Sequence, residues 1–216
     1  MINVSFINGS PKAVNKSNSD IFINKLSKYF NDDVNISKYY VSRILKDNSI
    51  FDEIIKNDKI IFVSPLYADT FPSAMLAFLS IFEKYLMCNS HNKNIEVYGM
   101  VNCGFFEGIQ CRHALRMFQI FCRNVDFKWR FGIGIGGGEY LKNELSNSIH
   151  AQSLYKALNT LGSDINKSDY SLENDIYLNP DKMSAGIYRA SANLGWCLSA
   201  FKDYRVGIPS LFKRIY

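Results

Sequence analysis

From Lys59 to Ser64 the chain reads Lys-Ile-Ile-Phe-Val-Ser, an apolar run of strand length without apolar–polar alternation. Successive side chains of a strand point to opposite faces, so a run that is apolar on both describes a central parallel strand covered by helices on each side. The rest of the chain supplies its neighbours. Strand-like runs occupy 2–7, 34–41, 96–102 and 127–135, the last closed by Gly136-Gly137-Gly138. Helical patterns separate them. Residues 19–30 space Phe22, Leu26, Tyr29 and Phe30 along one face, 50–55 is a short helix, Pro72 opens a helix to about Leu86, and another runs from about 107 to 123. Helices at about 140–161 and 181–203 finish the chain. The second has Asn179 as N-cap, Pro180 in its first turn and a stripe of Met183, Ile187, Ala190, Leu194, Cys197 and Phe201. The expected fold is α/β, a doubly wound five-stranded parallel sheet with helices on both faces, in a single domain over residues 1–216. The polar stretch 163–177 is long for a loop and is expected to be a lid or a subunit-contact arm.

Composition narrows the class. Hydrophobic residues make up 47% and charged residues 21%, which supplies a core and excludes a disordered chain. No run approaches the ~18–20 apolar residues of a membrane span, and no basic leader precedes the first strand, so a cytoplasmic location is expected. Five scattered cysteines suit a reducing compartment better than a disulfide framework. The net charge of +5 is modest, and its basic residues do not gather on the single face that nucleic acid requires.

Open parallel sheets bind ligands beyond the carboxyl ends of their strands. After the first strand stand Asn8-Gly9-Ser10-Pro11-Lys12 and then Ser17-Asn18-Ser19 at a helix start. Small hydroxyl and amide residues entering a helix N-terminus suit a phosphate, because backbone N–H groups converge there and the helix dipole favours an anion. A polar loop whose Ser17 or Asn18 merely caps the helix fits the same residues. After the third strand, Pro65 and Pro72 stiffen a loop that offers Tyr67, and after the fourth come Asn102-Cys103-Gly104-Phe105-Phe106-Glu107. Together these ends suit an elongated ligand with a phosphate tail and a planar head.

Asn8-Gly9-Ser10-Pro11-Lys12 with Ser17-Asn18-Ser19 resembles the Gly-Ser-Pro-basic…Ser-Asn-Thr/Ser signature of the NADPH-dependent FMN reductases of the flavodoxin-like superfamily. Pro65-Leu66-Tyr67-Ala68-Asp69 through Pro72 is similar to that family's Pro-Leu/Ile-Tyr loop. Asn102 to Phe105 with Glu107, and Trp129-Arg130 to Glu139, resemble a bacterial branch of flavodoxin-like oxidoreductases. The resemblance implies a flavodoxin-like fold binding FMN noncovalently. Ser10, Lys12, Ser17, Asn18 and Ser19 would hold the phosphate; Pro65, Leu66, Tyr67 and Ala68 would line the isoalloxazine; Asn102, Cys103, Gly104 and Glu107 would border its other edge. It further implies hydride transfer from NAD(P)H to FMN and onward delivery to a small acceptor (flavin, quinone, nitro or azo compound, or metal ion), with the chemistry on the flavin and no protein nucleophile. Lys12 stands where Arg is commoner in that family, and the helix after Pro72 lacks the usual terminal Asp-Arg pair. That helix is apolar almost all round, and its surplus face, with the dimers common in the family, leads to an expected homodimer.

Gly132 to Gly137 matches G-x-G-x-x-G but lies at the fifth strand, with no acidic residue near the ~20-residue offset of a dinucleotide fingerprint, so a glycine-rich strand end is expected. Cys111, Leu115, Phe118 and Cys122 share a helix face and read as core; no paired-cysteine metal motif is present. Cys103 reads either as a redox residue or as a small strand-end residue. An electron-carrier flavodoxin is the alternative function, though such carriers are usually strongly acidic; a non-catalytic phosphate-binding module is a third. No residue identifies NADPH over NADH.

Overall fold

Ile2–Asn8 (β1) pairs in parallel with Val34–Tyr40 (β2) along one edge and with Lys59–Pro65 (β3) along the other. The sheet continues through Glu96–Asn102 (β4) and Lys128–Ile135 (β5) to the short Ile176–Leu178 (β6), all parallel, in the order β2-β1-β3-β4-β5-β6. The computed structural model describes residues 1–45, 47, 49–91, 94–167 and 174–204. The chain divides into two compact units, Met1–Asp181 and Lys182–Tyr216. Among the described residues the first holds the sheet and the α-helices Asn18–Leu26 (α1), Val41–Ile44 (α2), Ile50–Ile54 (α3), Ser73–Cys88 (α4), Arg112–Asn124 (α5), Gly138–Leu141 (α6) and Gln152–Lys167 (α7). The described part of the second, residues 182–204, carries helix Ala185–Tyr204 (α8).

All seven residues of β3 are buried, as its unbroken apolar run anticipates. Ile60 and Phe62 face one core, joined by Ile7, Val97 and Val101 and by Phe78 of α4 and Phe118 of α5. Ile61 and Val63 face the other, joined by Phe6, Tyr98 and Met100, Phe22 of α1 and Leu158 of α7. Phe62 stacks on Phe118 at 4.8 Å between centroids and meets Phe121 edge-on at 5.7 Å. Burial of each such ring contributes roughly 1.5–3 kcal/mol.

The five expected strands are present; the polar stretch 163–177, expected to be a loop, instead continues α7 to Lys167 and ends in a sixth strand, β6, which reaches Leu178. Residues 168–173 of that stretch, and with them much of the expected lid or arm, lie outside the described residues. The helix expected over 140–161 divides into α6 and α7, because Lys25 Nζ and Tyr155 Oη both donate to the Glu144 carbonyl (2.6 and 2.9 Å) and hold the intervening turns. The helix expected from 181 starts instead at Ala185. Asn179 Oδ1 accepts the Gly108 N–H at 2.9 Å, and the Asp181 carboxylate accepts from Ser153 N (2.7 Å) and Oγ (2.6 Å), so both residues serve other elements; Ser184 Oγ accepts from Ile187 N. Ile187, Leu194 and Phe201 of the expected apolar stripe are 61–65% exposed.

A buried ionic network closes the sheet at the amino ends of its strands. Lys59 Nζ pairs with Glu96 Oε2 at 3.0 Å, and Arg130 grips Asp164 through NH2–Oδ1 at 2.7 Å and Nε–Oδ2 at 3.1 Å. Tyr98 Oη donates to Asp164 Oδ2 at 2.7 Å. Burial works against the Glu96 charge, yet Lys59, Lys128 and Arg130 together hold its carboxyl below the usual range. With charges satisfied at this end, the opposite, carboxyl ends are left to the loops that form a site.

Candidate ligand site at the strand carboxyl ends

The chain leaves β1 for α1 and β2 on one side and returns to β3 on the other, so the β1/β3 boundary is the switch point at which the loops diverge. Gly9 leads out of β1 with its N–H on the Val63 carbonyl (2.8 Å); a Cβ there would lie 2.8 Å from Met75 Sδ and 2.9 Å from Ser64 Oγ, so the crossing requires glycine. Asn8 folds the loop back: its Oδ1 accepts from Ser10 N at 2.9 Å and its Nδ2 donates to Asp20 Oδ1 at 2.9 Å.

Ser17 is the N-cap of α1, its Oγ accepting from Asp20 N at 3.0 Å while Asp20 accepts from Ser17 N (3.1 Å) and Oγ (2.6 Å). The capping reading of Ser17 is therefore correct, and Asp20 completes the box. Tyr40 Oη also donates to Asp20 Oδ1, at 2.9 Å; burial, then this bond to a carboxylate, pushes the Tyr40 phenol up to about 12. Asp20 and Tyr40 escaped the motif reading, although Ser-x-x-acid before an apolar run is a recognisable capping signal.

Capping leaves room for an anion beside it. The N–H groups of Asn18 and Ser19 open α1 and have no intrahelical acceptor. Ser19 is 1% exposed and its Oγ makes no hydrogen bond among the described residues. Lys12 and Lys16 stand exposed in the same loop and Ser10 is buried in it, its Oγ accepting from Lys12 N at 3.3 Å. Asn18 points its amide to Glu139 Oε2 (2.8 Å), and Glu139 also pairs with Lys142. Burial opposes the Glu139 charge, but Asn18, Lys142 and Lys12 outweigh it and hold the carboxyl low. Of the five residues expected at a phosphate, Ser10, Ser17 and Asn18 have internal side-chain partners, Lys12 is exposed, and the Ser19 hydroxyl makes no hydrogen bond among the described residues.

The β3 loop is tied to β4 by Leu66 N on the Asn102 carbonyl (2.8 Å). Pro65 and Leu66 are buried; Tyr67 is 44% exposed, which sets aside the core-aromatic reading. Tyr67 and Thr70 exchange two backbone hydrogen bonds (2.8 and 3.1 Å) around Ala68 and Asp69, both left-handed at φ 45° and 66°. A two-residue hairpin turn needs this handedness, which glycine would adopt without strain. Asn102 donates to the Ser64 carbonyl at 3.3 Å, Cys103 is buried, and Gly104 and the 47% exposed Phe105 open outward, with Glu107 partly buried behind them. A Cβ at Gly104 would meet nothing within 4 Å, so its surroundings are open space rather than protein. Gly137 N and Gly138 N close the β5 turn onto Phe105 O (2.6 Å) and Cys103 O (2.8 Å), and Gly137 is left-handed at φ 59°. The glycine-rich segment is thus a strand end, as expected. It fits no dinucleotide fingerprint.

The site therefore joins an anion-ready helix start to two exposed rings, Tyr67 and Phe105, on loops that share hydrogen bonds. The sequence reading assigns Phe105 no role of its own. Two of the histidines have backbone partners: His91 sits between the Asn89 and Val125 carbonyls (3.1 and 3.0 Å) and His150 on the Asp181 carbonyl (2.8 Å). Among the described residues no cluster of His, Cys, Asp and Glu could hold a metal.

No known family profile matches the chain, and no curated protein matches it in sequence. Solved structures do. An NADH:FMN oxidoreductase (EMOB, apo form) superposes with a TM-score of 0.57 at 13% identity, over 80% of this chain and 92% of the other. An FMN-dependent NADH-azoreductase from Bacillus anthracis, in complex with FMN, gives 0.54 at 11% identity over 76% and 99%. A short-chain flavodoxin associated with a bacterial microcompartment gives 0.53 at 13% identity over 79% and 100%. The fold is flavodoxin-like: a parallel sheet in the order 2-1-3-4-5, here extended by β6.

Proposed function

We propose that the chain binds FMN at the carboxyl ends of β1, β3 and β4 and is an NAD(P)H-dependent oxidoreductase that passes reducing equivalents to a small-molecule acceptor. The observation that carries this reading is Ser19: a hydroxyl buried at a helix N-terminus, beside the fold's switch point, without a hydrogen-bond partner among the described residues. An orphaned buried hydroxyl is costly unless a ligand completes it. The FMN phosphate would take that hydroxyl, the Asn18 and Ser19 N–H groups and the Lys12 charge, with Ser10 and the capped Ser17 shaping the loop. Asp20 is the one carboxylate buried there, and its oxygens are directed to Asn8, Ser17 and Tyr40.

Bound there, FMN supplies hydride chemistry that no side chain of the site possesses. Pro65, Leu66 and Ala68 would line its ring system, Tyr67 and Phe105 offer apolar rings to it, and Asn102, Cys103, Gly104 and Glu107 border the far edge. The known enzymes among the structural neighbours, an NADH:FMN oxidoreductase and an FMN-dependent NADH-azoreductase, favour this over a pure electron carrier. So does the net charge of +5. We read the protein as cytoplasmic, in keeping with its free cysteines, and as a homodimer. Helix α8, with Leu194, Trp196, Leu198 and Phe201 each at least 60% exposed, is the apolar surface that favours pairing; the expected surplus on α4 is smaller, since Met75, Phe78, Leu79, Phe82 and Leu86 are buried within the first unit.

The test is a visible spectrum after incubation with FMN and desalting, repeated anaerobically with NADH and then NADPH. A retained flavin band that bleaches supports the enzyme. A retained band that persists with both replaces it by an electron carrier, and loss of the flavin removes the phosphate assignment.

A further inference from the structure

The positive charge of the chain is not shared between its two units. Residues 182–216 hold six of the 25 lysines and arginines but one of the 20 aspartates and glutamates. This unit therefore carries the whole net charge of +5, and Met1–Asp181 is neutral. The six are Lys182, Arg189, Lys202, Arg205, Lys213 and Arg214. The same unit bears exposed apolar side chains. Along α8, Ile187, Leu194, Leu198 and Phe201 recur at intervals of seven, four and three residues, which sets them on one face, and all four are exposed. We infer that α8 lies on an anionic membrane surface, its stripe toward the lipid, held there by the basic residues of its unit.

The segment is built to lie on a bilayer rather than to cross it. Between Arg189 and Lys202 stand twelve residues without a charge, about 18 Å of helix at 1.5 Å per residue. A span needs ~20 apolar residues, and among the described residues no helix is long and apolar enough to cross a membrane. A shorter helix with an apolar stripe sinks that face into the boundary between headgroups and acyl chains, while lysines and arginines reach the lipid phosphates. Lys202 follows Phe201 directly and is exposed, at the edge of the stripe.

Each of the two properties, taken alone, suits another occupant. Pairing of two copies covers the stripe, but the second copy brings the same positive surplus and leaves the charge unmatched. Nucleic acid matches the charge and leaves the leucines and Phe201 in water. An anionic lipid surface meets both. Pairing in solution and docking on lipid would then use this face in turn. The inference does not rest on flavin binding.

The experiment sediments the full-length protein with vesicles of phosphatidylcholine alone and of phosphatidylcholine with roughly one-third phosphatidylglycerol. Binding to the mixed vesicles only is expected. Raising salt from about 0.1 M to about 1 M, which shortens the Debye length from ~10 to ~3 Å, should release the protein. Each unit of charge at such a surface changes binding about fivefold, so Lys202→Glu, a change of two units, should bind about 25-fold more weakly. Leu194→Ser with Leu198→Ser should lose about 100-fold. Trp196, 78% exposed on the opposite side of the helix, is the control, and Trp196→Ser should bind as the wild type does. Equal binding to both kinds of vesicle would overturn the inference, as would a Trp196→Ser loss matching that of the leucine pair. Absence from both pellets would overturn it too, and a solution mass of twice the chain in that case assigns the face to a second copy. The wild-type pellets decide without reliance on any variant's folding.

Discussion

Replacing Ser19 by alanine should move stability and affinity in opposite directions. In the ligand-free protein the Ser19 hydroxyl is buried and makes no hydrogen bond among the described residues, so its removal relieves an unmet desolvation cost of about 1–3 kcal/mol. Alanine is also the better helix former at this position of α1. A net gain of about 1–2 kcal/mol corresponds to a rise in Tm of about 2–6 °C for a domain of this size. If the same hydroxyl donates to a phosphate, its loss removes a hydrogen bond to a charged group worth about 1.5–3 kcal/mol, and FMN affinity should fall about 10- to 150-fold. Ser5→Ala is the control. Its hydroxyl is equally buried and unpartnered among the described residues, but it lies in mid-β1 rather than at the helix start, so stability should rise with affinity unchanged. Calorimetry of the ligand-free proteins and flavin-fluorescence titration give the two readouts. Unchanged FMN affinity in Ser19→Ala, or a loss identical to that of Ser5→Ala, would refute the reasoning.

Ala68→Gly should stabilise the β3 loop by about 0.5–1 kcal/mol, since Ala68 holds φ 45° and glycine adopts that conformation without a Cβ clash; a lower urea midpoint would contradict this. Asp164→Ala removes the bidentate carboxylate partner of the buried Arg130 and the acceptor of the Tyr98 hydroxyl, and should cost about 3–5 kcal/mol in urea unfolding. Because Glu96 is held below its unfolded-state value of about 4.3, it contributes stability above that pH and loses it as pH falls through the folded value. Acid titration of Glu96→Gln should therefore show a shallower decline below about pH 4.3 than the wild type.

The parts of the fold set by local pattern were readable in advance. An apolar run such as Ile60–Val63 can be satisfied only between two layers of helices, and Gly9 and the Ser17–Ser19 helix start announce themselves by residue type. What escaped depends on partners distant in sequence. Asp164 and Arg130 look like ordinary surface charges until α7 is laid across β5, and Asn179 and Asp181 resemble a helix start until Gly108 and Ser153 claim them. β6 is three residues long and carries too little pattern to distinguish it from loop. The loops named in advance do follow β1, β3 and β4, but which of their side chains are already occupied was not visible: Ser17 is paired with Asp20 and Asn18 with Glu139, while the Ser19 hydroxyl makes no hydrogen bond among the described residues.

The central claim is that the start of α1 holds a phosphate. Parallel titrations with FMN and riboflavin, which share the ring system and differ in that group, test it most directly. Two charge-assisted hydrogen bonds at about 1.5 kcal/mol each predict FMN binding at least about 100-fold tighter than riboflavin. Equal affinities, or no binding of either, would contradict the claim.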